Sequence, residues 1–391
     1  MVTIRGKNMN IAPWPYFAKD EQEIVSDVLQ SGQVNYWTGP YVKNFEQEFA
    51  TYLGAKHAIA VANGTLALEL ALKALDIGAG DEVIVPCRTF IASASAVVAC
   101  GATPVITDID FDTHNVSAEQ IIPAITEKTK AIVVVHLSGL SCDMDPILDI
   151  AKKHNIKIIE DCAQAHGAKY KGQYCGTIGD IATFSFCQDK IMTTGGEGGM
   201  VVTNNKDLFI KSWEYKDHGK SFDKIFNQTQ DKKSTDYNWI HDDFGSNYRM
   251  SGMQAAIGSK QLGKLNDWLI RRRENASILD NILNNVSGID ILKFDTELCE
   301  HAYYKYYFHI DSLKYDISTI LARANEKRLP LRRGISPDIS REKVFTKVQV
   351  AQVLSHPNAD KLEKTAIMCV VHPTIDSNAM EEIAMGIADL F

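Results

Sequence analysis

The most reactive feature of the sequence is a lysine placed between an apolar run and a glycine-rich loop. Lys190 follows residues 181–186, and the loop after it contains four glycines within residues 195–199. An amine held beside a buried strand can have its pKa lowered, so that it attacks a carbonyl and forms a Schiff base. The glycines let the backbone pass close to a bulky ligand. A solvated surface lysine would produce the same local pattern.

A carboxylate ends another apolar run. Asp161 is the last residue of the run at residues 156–161. A buried acid at the end of a strand is costly unless a positive group meets it, and a protonated ring nitrogen would be a suitable partner. An aspartate that only caps the following turn fits this position as well.

A third segment joins a strand-like run to a helical pattern. Asn63, Gly64 and Thr65 stand between residues 57–62 and residues 66–75. Free amides at the start of a helix, together with the Thr65 hydroxyl, would form an anion site suited to a phosphate. An ordinary helix cap is the alternative, since Asn and Thr favour such positions.

Taken together, the three segments supply the groups that pyridoxal phosphate requires. Its ring needs a carboxylate that keeps the ring nitrogen protonated, and its aldehyde needs an amine. The glycine loop matches neither the G-x-G-x-x-G nor the G-x-x-x-x-G-K-[ST] pattern, which excludes the dinucleotide and P-loop interpretations. The sequence therefore predicts a pyridoxal phosphate site and no metal site.

These segments must be positioned by a sheet. Between residues 57 and 204, seven short apolar runs alternate with amphipathic stretches. Such alternation is typical of a mainly parallel sheet covered by helices on both faces. Ligands collect at the carboxyl ends of the strands in sheets of this kind. We therefore predict an α/β fold with a mainly parallel seven-stranded sheet.

The pattern changes after about residue 250. A long helical pattern covers residues 253–284, a strand-like piece covers residues 303–310, and a helical pattern at residues 380–390 ends the chain. We predict a large α/β domain at residues 1–250, which includes an N-terminal segment. A smaller C-terminal α+β domain would cover residues 251–391 and begin with a long connecting helix.

Composition limits the possible partners. The 391 residues include 41 Lys and Arg against 49 Asp and Glu, a net charge of −8, and 45% are hydrophobic. The absence of a long basic run argues against nucleic acid as a partner. No apolar run approaches the roughly 20 residues that span a bilayer, and the first residues lack the apolar region of a secretory signal. Eight cysteines without a C-x-x-C pair indicate reduced thiols and a cytoplasmic protein.

The sequence resembles the sugar-nucleotide aminotransferases of the DegT/DnrJ/EryC1/StrS family, within the fold-type I pyridoxal phosphate enzymes. The resemblance extends over nearly the whole chain. It is carried by residues 38–42, 45–46, 63–68, 80–84, 89–92, 160–161 with 164–167, 185–186 with Lys190, 197–199 and 247–250.

This resemblance implies a role for each candidate residue. Lys190 would hold the cofactor aldehyde and, once freed, move a proton between substrate and cofactor carbons, while Asp161 would pair with the pyridine nitrogen. Asn247 would reach a phosphate in the neighbouring subunit, which implies a homodimer with shared active sites. The other cofactor contacts would be Gln164 at the ring hydroxyl, Phe90 on the ring face, and Gly64, Thr65 and Ser185 at the phosphate.

The resemblance also implies a reaction. Lys190 argues against the branch of the family that carries histidine there and removes a sugar hydroxyl. Residues 196–199 read Gly-Glu-Gly-Gly, as in members that act on 4-keto sugars. The expected reaction transfers the amine of L-glutamate to a nucleotide-linked 4-keto-6-deoxyhexose, through pyridoxamine phosphate, for surface polysaccharide of the O-antigen (lipopolysaccharide) type. A 3-keto sugar aminotransferase and a non-catalytic cofactor-binding regulator remain alternatives.

One basic segment departs from the usual pattern of the family. Arg332 and Arg333 precede Gly334 in the predicted small domain. Their guanidinium groups could meet a diphosphate through paired, charge-assisted hydrogen bonds. A solvated basic turn explains them equally well.

Overall fold

The computed structural model describes residues 2–4, 7–9, 11–227, 238–347 and 354–391. The helices are α1 (Lys19–Ser31), α2 (Tyr41–Leu53), α3 (Gly64–Ala74), α4 (Ala92–Ala99), α5 (Ala118–Ile121), α6 (Met144–His154), α7 (Lys206–Lys216), α8 (Phe222–Phe226), α9 (Gly252–Leu262), α10 (Leu265–Leu283), α11 (Ile317–Glu326), α12 (Pro357–Thr365) and α13 (Ser377–Ala388). The strands are β1 (Val2–Ile4), β2 (Lys7–Met9), β3 (His57–Val61), β4 (Glu82–Pro86), β5 (Thr103–Thr107), β6 (Thr129–Val135), β7 (Lys157–Asp161), β8 (Lys169–Tyr170), β9 (Gln173–Tyr174), β10 (Ile181–Ser185), β11 (Gly199–Thr203), β12 (Ile289–Ile291), β13 (Cys299–Glu300), β14 (Tyr306–Ile310), β15 (Leu331–Arg332) and β16 (Ala366–Cys369).

The predicted seven-stranded sheet is confirmed, with the order β3-β11-β10-β7-β6-β4-β5. Strand β11 runs antiparallel to both of its neighbours, and the other pairs are parallel. Every residue of β4, β10 and β11 is buried, because helices cover both faces of the sheet. Strands β7 and β10 are parallel neighbours, so Asp161 and Ser185, their last residues, lie at the same edge of the sheet.

The side chains of β3 show how the two faces are filled. Successive residues of a strand point to opposite faces. Ile59 and Val61 pack in the cluster that includes the residues of α3, whereas Ala58 and Ala60 pack with Phe45 of α2. The central sheet is therefore enclosed between two apolar layers, which fixes the positions of its strand ends.

The C-terminal part contains a smaller antiparallel sheet. Its order is β12-β14-β16-β15, and α10, α11 and α13 contribute to the apolar cluster around it. The single helix expected over residues 253–284 is wrong: the structure has α9 and α10, separated by Gly263 and Lys264. Glycine is a weak helix former. The two helices also pack differently, since α9 contacts α1 and α2 while α10 contacts α13.

None of the helices in the described ranges combines the length and the apolar character needed to cross a bilayer.

Candidate active site

A cavity of about 1000 Å³ opens at the carboxyl edge of β7 and β10. Side chains of the C-terminal part, including Tyr304, Arg332 and Arg333, close its other side. All but one of the predicted site residues line it, namely Gly64, Thr65, Phe90, Asp161, Gln164, Ser185 and Lys190. Asn247 is not among the lining residues. Residues that are up to 126 positions apart in the chain thus share one cavity, as the topology of the sheet requires.

Asp161 is buried at one wall of this cavity. Its Oδ2 accepts a hydrogen bond from Ser93 Oγ at 2.9 Å, and its Oδ1 accepts one from the Ala163 N–H at 3.1 Å. Burial raises the pKa of Asp161, although these two hydrogen bonds and the charge of Lys190 oppose the shift. Among the described residues Asp161 forms no ion pair, so a cationic ring nitrogen in the cavity would supply the charge that it lacks.

Lys190, which also lines the cavity, contacts its neighbour Asp189 and two residues that are distant in the sequence. Its Nζ lies 3.9 Å from Asp189 Oδ1 and 5.1 Å from the centre of the Tyr304 ring. Its carbonyl oxygen accepts a hydrogen bond from Trp14 Nε1 at 2.8 Å. The Tyr304 hydroxyl donates to Asp189. Burial alone would raise the pKa of Asp189, but Lys190 and the Tyr304 hydrogen bond lower it overall, so Asp189 is an anion that faces the lysine.

The start of α3 lies against the end of β10. The Asn63 side chain accepts a hydrogen bond from the Leu66 N–H at 2.9 Å, so the helix-cap interpretation of this segment holds. The amides of Gly64 and Thr65 belong to the first turn of α3, where backbone N–H groups have no intrahelical acceptor, and they remain available for an anion. A Cβ atom at position 64 would lie 2.6 Å from Ser185 Cβ, so only glycine permits this approach. The cap and the phosphate site are therefore compatible.

Two further residues could contact a flat ligand. The Gln164 Oε1 accepts a hydrogen bond from the Ser138 N–H at 2.7 Å, which directs the amide nitrogen of Gln164 to donate elsewhere. Phe90 is 63% exposed although it lines the cavity. An aromatic ring that faces such a space can stack on a flat ligand. The positions of both residues suit the predicted contacts to a ring hydroxyl and a ring face.

Asn247 lies outside the cavity. It is paired with Asp217 in an isolated antiparallel bridge, and Asp217 also accepts a hydrogen bond from Arg249 Nη1 at 2.8 Å. The predicted role of Asn247 in a neighbouring subunit stays a prediction.

Several residues that surround the site were not assigned from sequence. Ser93 and Tyr304 act through Asp161 and Asp189, and Trp14 fixes the main chain of Lys190. Asp189 is next to Lys190 in the chain, and this adjacency was the one feature of the sequence that could have indicated its place in the site. Trp14 is 176 residues from Lys190, and no local pattern links two such positions.

The donor set fits pyridoxal phosphate. Lys190 could hold the aldehyde, the unpaired carboxylate of Asp161 could face the ring nitrogen, and the amides at the start of α3 could receive the phosphate. A substituent at position 64 would fill the space next to Ser185, which agrees with a narrow phosphate cup there.

Comparisons with known proteins point to one family. The model of the DegT/DnrJ/EryC1/StrS aminotransferase family matches residues 15–388. A GDP-perosamine synthase from Escherichia coli O157:H7 is 38% identical over 383 residues, which cover 96% of this chain and 97% of the relative. A dTDP-3-amino-3,6-dideoxy-alpha-D-galactopyranose transaminase from Aneurinibacillus thermoaerophilus is 44% identical over 271 residues, or 68% of this chain and 69% of the relative. An aminotransferase structure from Psychrobacter cryohalolentis has a TM-score of 0.93 and 44% identity, and covers 98% of this chain and 99% of its own.

Proposed function

Because this chain belongs to the DegT/DnrJ/EryC1/StrS family and is a pyridoxal phosphate-dependent aminotransferase, we propose that it aminates a nucleotide-linked 4-keto-6-deoxyhexose with L-glutamate as the donor. The product would be a 4-amino-4,6-dideoxy sugar for a surface polysaccharide of the O-antigen type. The similarity to a GDP-perosamine synthase over almost the full length supports this substrate class. The reaction would take place in the cytoplasm.

The observation that carries the proposal is the placement of Lys190 and Asp161 in one cavity. When bound, pyridoxal phosphate supplies an aldehyde that accepts the donor amine and a ring that delocalises negative charge. Asp161 would hold the proton on the ring nitrogen. Lys190 would remove the proton from the reacting substrate carbon and return it, as general base and then as general acid. Asp189, at 3.9 Å, is placed to stabilise the protonated amine.

The C-terminal wall of the cavity suits an anionic nucleotide. Arg332 and Arg333 both line it, and the Arg333 guanidinium is oriented by hydrogen bonds to Ser318 Oγ at 2.9 Å and the Glu363 carbonyl at 3.0 Å. Guanidinium groups bind phosphate oxygens in pairs. We therefore favour diphosphate binding over a solvated basic turn for this segment.

The position of the keto group is the finer part of the proposal. Glu197, from the Gly-Glu-Gly-Gly segment, lines the cavity, and its carbonyl accepts a hydrogen bond from Gln254 Nε2 at 2.8 Å. This placement is consistent with contact between the loop and the sugar. The 3-keto alternative is supported by the relative that is named for a 3-amino product.

A substrate panel separates these possibilities. Purified protein loaded with pyridoxal phosphate is incubated with L-glutamate and with 4-keto or 3-keto sugars linked to GDP, dTDP or UDP, and amino sugars are detected by mass spectrometry. We expect amination of a 4-keto substrate. Amination of 3-keto sugars alone would assign the other branch, and no turnover with any sugar would favour the regulator hypothesis.

We further propose a homodimer in which Asn247 completes the partner's site. Phe244, three residues away, is 95% exposed, so its ring is accessible to a partner subunit. Mixing Lys190→Ala and Asn247→Ala subunits tests this. Sharing across the dimer would restore about a quarter of the wild-type sites after random reassociation. If Asn247 serves its own subunit, the mixture stays as inactive as its components.

A further inference from the structure

A second, smaller cavity lies behind Tyr304. This side cavity has a volume of about 150 Å³ and is lined by Trp14, Asp189, Arg272, Tyr304, Lys305 and His372, together with apolar residues. It shares Asp189, Tyr304 and Lys305 with the main cavity. The two spaces are therefore adjacent, and Tyr304 forms part of both walls.

Arg272 is buried in the side cavity without a counter-charge. Its side chain is 1% exposed, and its Nη1 donates to the carbonyl oxygens of Tyr303 and Tyr304 at 3.2 and 3.3 Å. Its Nε and Nη2 are buried and find no hydrogen-bond partner among the described residues. Burying these two guanidinium nitrogens without hydrogen-bond partners is costly. Burial lowers the pKa of Arg272 to about 9, which still leaves it charged at neutral pH.

Positive charge exceeds negative charge around this space. Burial, with the charges of Arg272 and Lys190, lowers the pKa of Lys305 to about 8 despite the attraction of Asp189. His372 is neutral, because burial and the charges of Arg272 and Lys305 lower its pKa to about 3. Lys190, Arg272 and Lys305 thus surround Asp189, which is already engaged by Tyr304 and Lys190. A bound anion would balance this excess.

We propose that the side cavity binds the distal carboxylate of a dicarboxylic amino-acid donor, held by Arg272 and Lys305. The inference rests on the proposed function, since it names the group that selects the donor of that reaction. The site must accept a small amino acid and a bulky nucleotide sugar in turn. A cavity of about 150 Å³ beside one of about 1000 Å³ allows each substrate its own recognition surface.

The geometry favours the distal carboxylate over the α-carboxylate. The α-carboxylate is bonded to the reacting carbon and must stay near Lys190, on the main-cavity side of Tyr304. Arg272 instead bonds to the main chain of Tyr303 and Tyr304. A group that lies several bonds from the reacting carbon can reach past Tyr304, and its two oxygens match the free Nε and Nη2 of a guanidinium fork.

Calorimetry on the cofactor-loaded protein tests binding without turnover. Glutarate, an unreactive dicarboxylate, is titrated into the wild type, and butyrate and inorganic phosphate serve as the monocarboxylate and simple-anion probes. We expect glutarate to bind about 100-fold more tightly than butyrate, the size of effect that follows from losing one buried charge pair. Equal binding of glutarate and butyrate would overturn the proposal, and so would phosphate binding that is tighter than that of glutarate and is abolished by Arg272→Met.

Substitutions test whether Arg272 and Lys305 create the preference for glutarate over butyrate. Arg272→Met should abolish the preference for glutarate and lower kcat/KM for L-glutamate about 100-fold, with a much smaller effect on L-alanine. Lys305→Met should also weaken the preference for glutarate and lower kcat/KM for L-glutamate. It provides the test if Arg272→Met does not fold. Arg271→Met is the matched control on α10, because Arg271 pairs with Glu274 and Ser377 outside the cavity. An unchanged preference in both Arg272→Met and Lys305→Met would refute the assignment.

A second readout separates donor recognition from damage to the fold. Arg272→Met loaded directly with pyridoxamine phosphate bypasses the donor, and its rate with the keto sugar should stay within about 3-fold of the wild type. Equal losses in both halves of the reaction would indicate a structural role and contradict the proposal. If glutarate binding depends on Arg272 but no sugar is aminated, the donor site stands and the proposed sugar substrate fails.

Discussion

The two faces of β7 use adjacent carboxylates in opposite ways. Glu160 and Asp161 are consecutive residues, so their side chains point to opposite sides of the sheet. Glu160 accepts hydrogen bonds from the N–H groups of Gly176, Ile178 and Gly179 at 2.7–2.8 Å, and its Oε2 lies 3.0 Å from His136 Nε2. Asp161 accepts only two hydrogen bonds, at 2.9 and 3.1 Å, and faces a cavity.

Their pKa values shift in opposite directions for this reason. Burial would raise the pKa of Glu160, but His136 and the backbone N–H groups reverse the effect and lower it. The pKa of Asp161 is raised, because its hydrogen bonds do not offset burial. A buried carboxylate whose charge is offset within the fold stabilises that fold, whereas one without a counter-charge is available to a cationic ligand. We infer that the Glu160 face is structural and that the Asp161 face is chemical.

Substitution of a residue that lines the main cavity should have the largest effect on turnover. Lys190→Ala removes the amine that we propose holds the cofactor and moves the proton, so we expect turnover to fall by at least about 10⁴-fold. The visible absorbance of the lysine-bound cofactor should disappear in the same variant. Lys171→Ala, at an exposed ion pair with Asp145, is the control and should keep both signals. Substantial turnover by Lys190→Ala would contradict the chemical role that we assign to the cavity.

Asp161→Asn tests the carboxylate on the cavity-facing side of β7. The amide keeps the shape of the carboxylate but cannot hold a proton on the ring nitrogen, so turnover should fall about 10³-fold. Denaturant unfolding of the cofactor-free protein should show no loss of stability, since a buried charge has been removed. Asp145→Asn, on the exposed Lys171 pair, should leave turnover unchanged. A loss of stability with normal turnover would show that Asp161 is structural and would contradict the contrast with Glu160.

Glu160→Gln should produce the opposite result. The neutral side chain weakens four hydrogen bonds around a buried group, and we expect the free energy of unfolding to fall by about 3 kcal/mol. Turnover of the folded fraction should change little. Glu300→Gln, which affects an exposed pair with Lys169, should cost less than about 1 kcal/mol. A catalytic defect in Glu160→Gln without a loss of stability would contradict the structural role.

The sequence was sufficient to predict the sheet and the residues that end its strands. Continuous Val and Ile runs mark buried strands, so the position of Asp161 at a strand end could be predicted, whereas Ser185 was assigned from the family resemblance. The break between α9 and α10 could not, because the apolar period continues across Gly263 while packing partners change.

The groups that tune the site were not predictable from local patterns. Tyr304 and Arg272 come from the C-terminal part, and their effect depends on how that part packs against the sheet domain. Whether a buried carboxylate such as Glu160 is satisfied also depends on a turn at residues 176–179, which a strand pattern does not describe. Nothing in the Glu160-Asp161 dipeptide separates the two roles.

The pH dependence of stability gives the smallest effect and the sharpest contrast. A lowered folded pKa means that Glu160 stabilises the fold above its unfolded value of 4.5 and that this contribution is lost as pH falls through the folded pKa. A raised folded pKa at Asp161 means that stability declines as pH rises from 3.8 through the folded pKa.

In the cofactor-free protein, Glu160→Gln should therefore approach wild-type stability only in acid. The stability gain of Asp161→Asn should grow from about pH 4 upward and vanish below it. Urea unfolding across this range measures both differences, and parallel profiles for the two variants would show that the faces of β7 are not distinct.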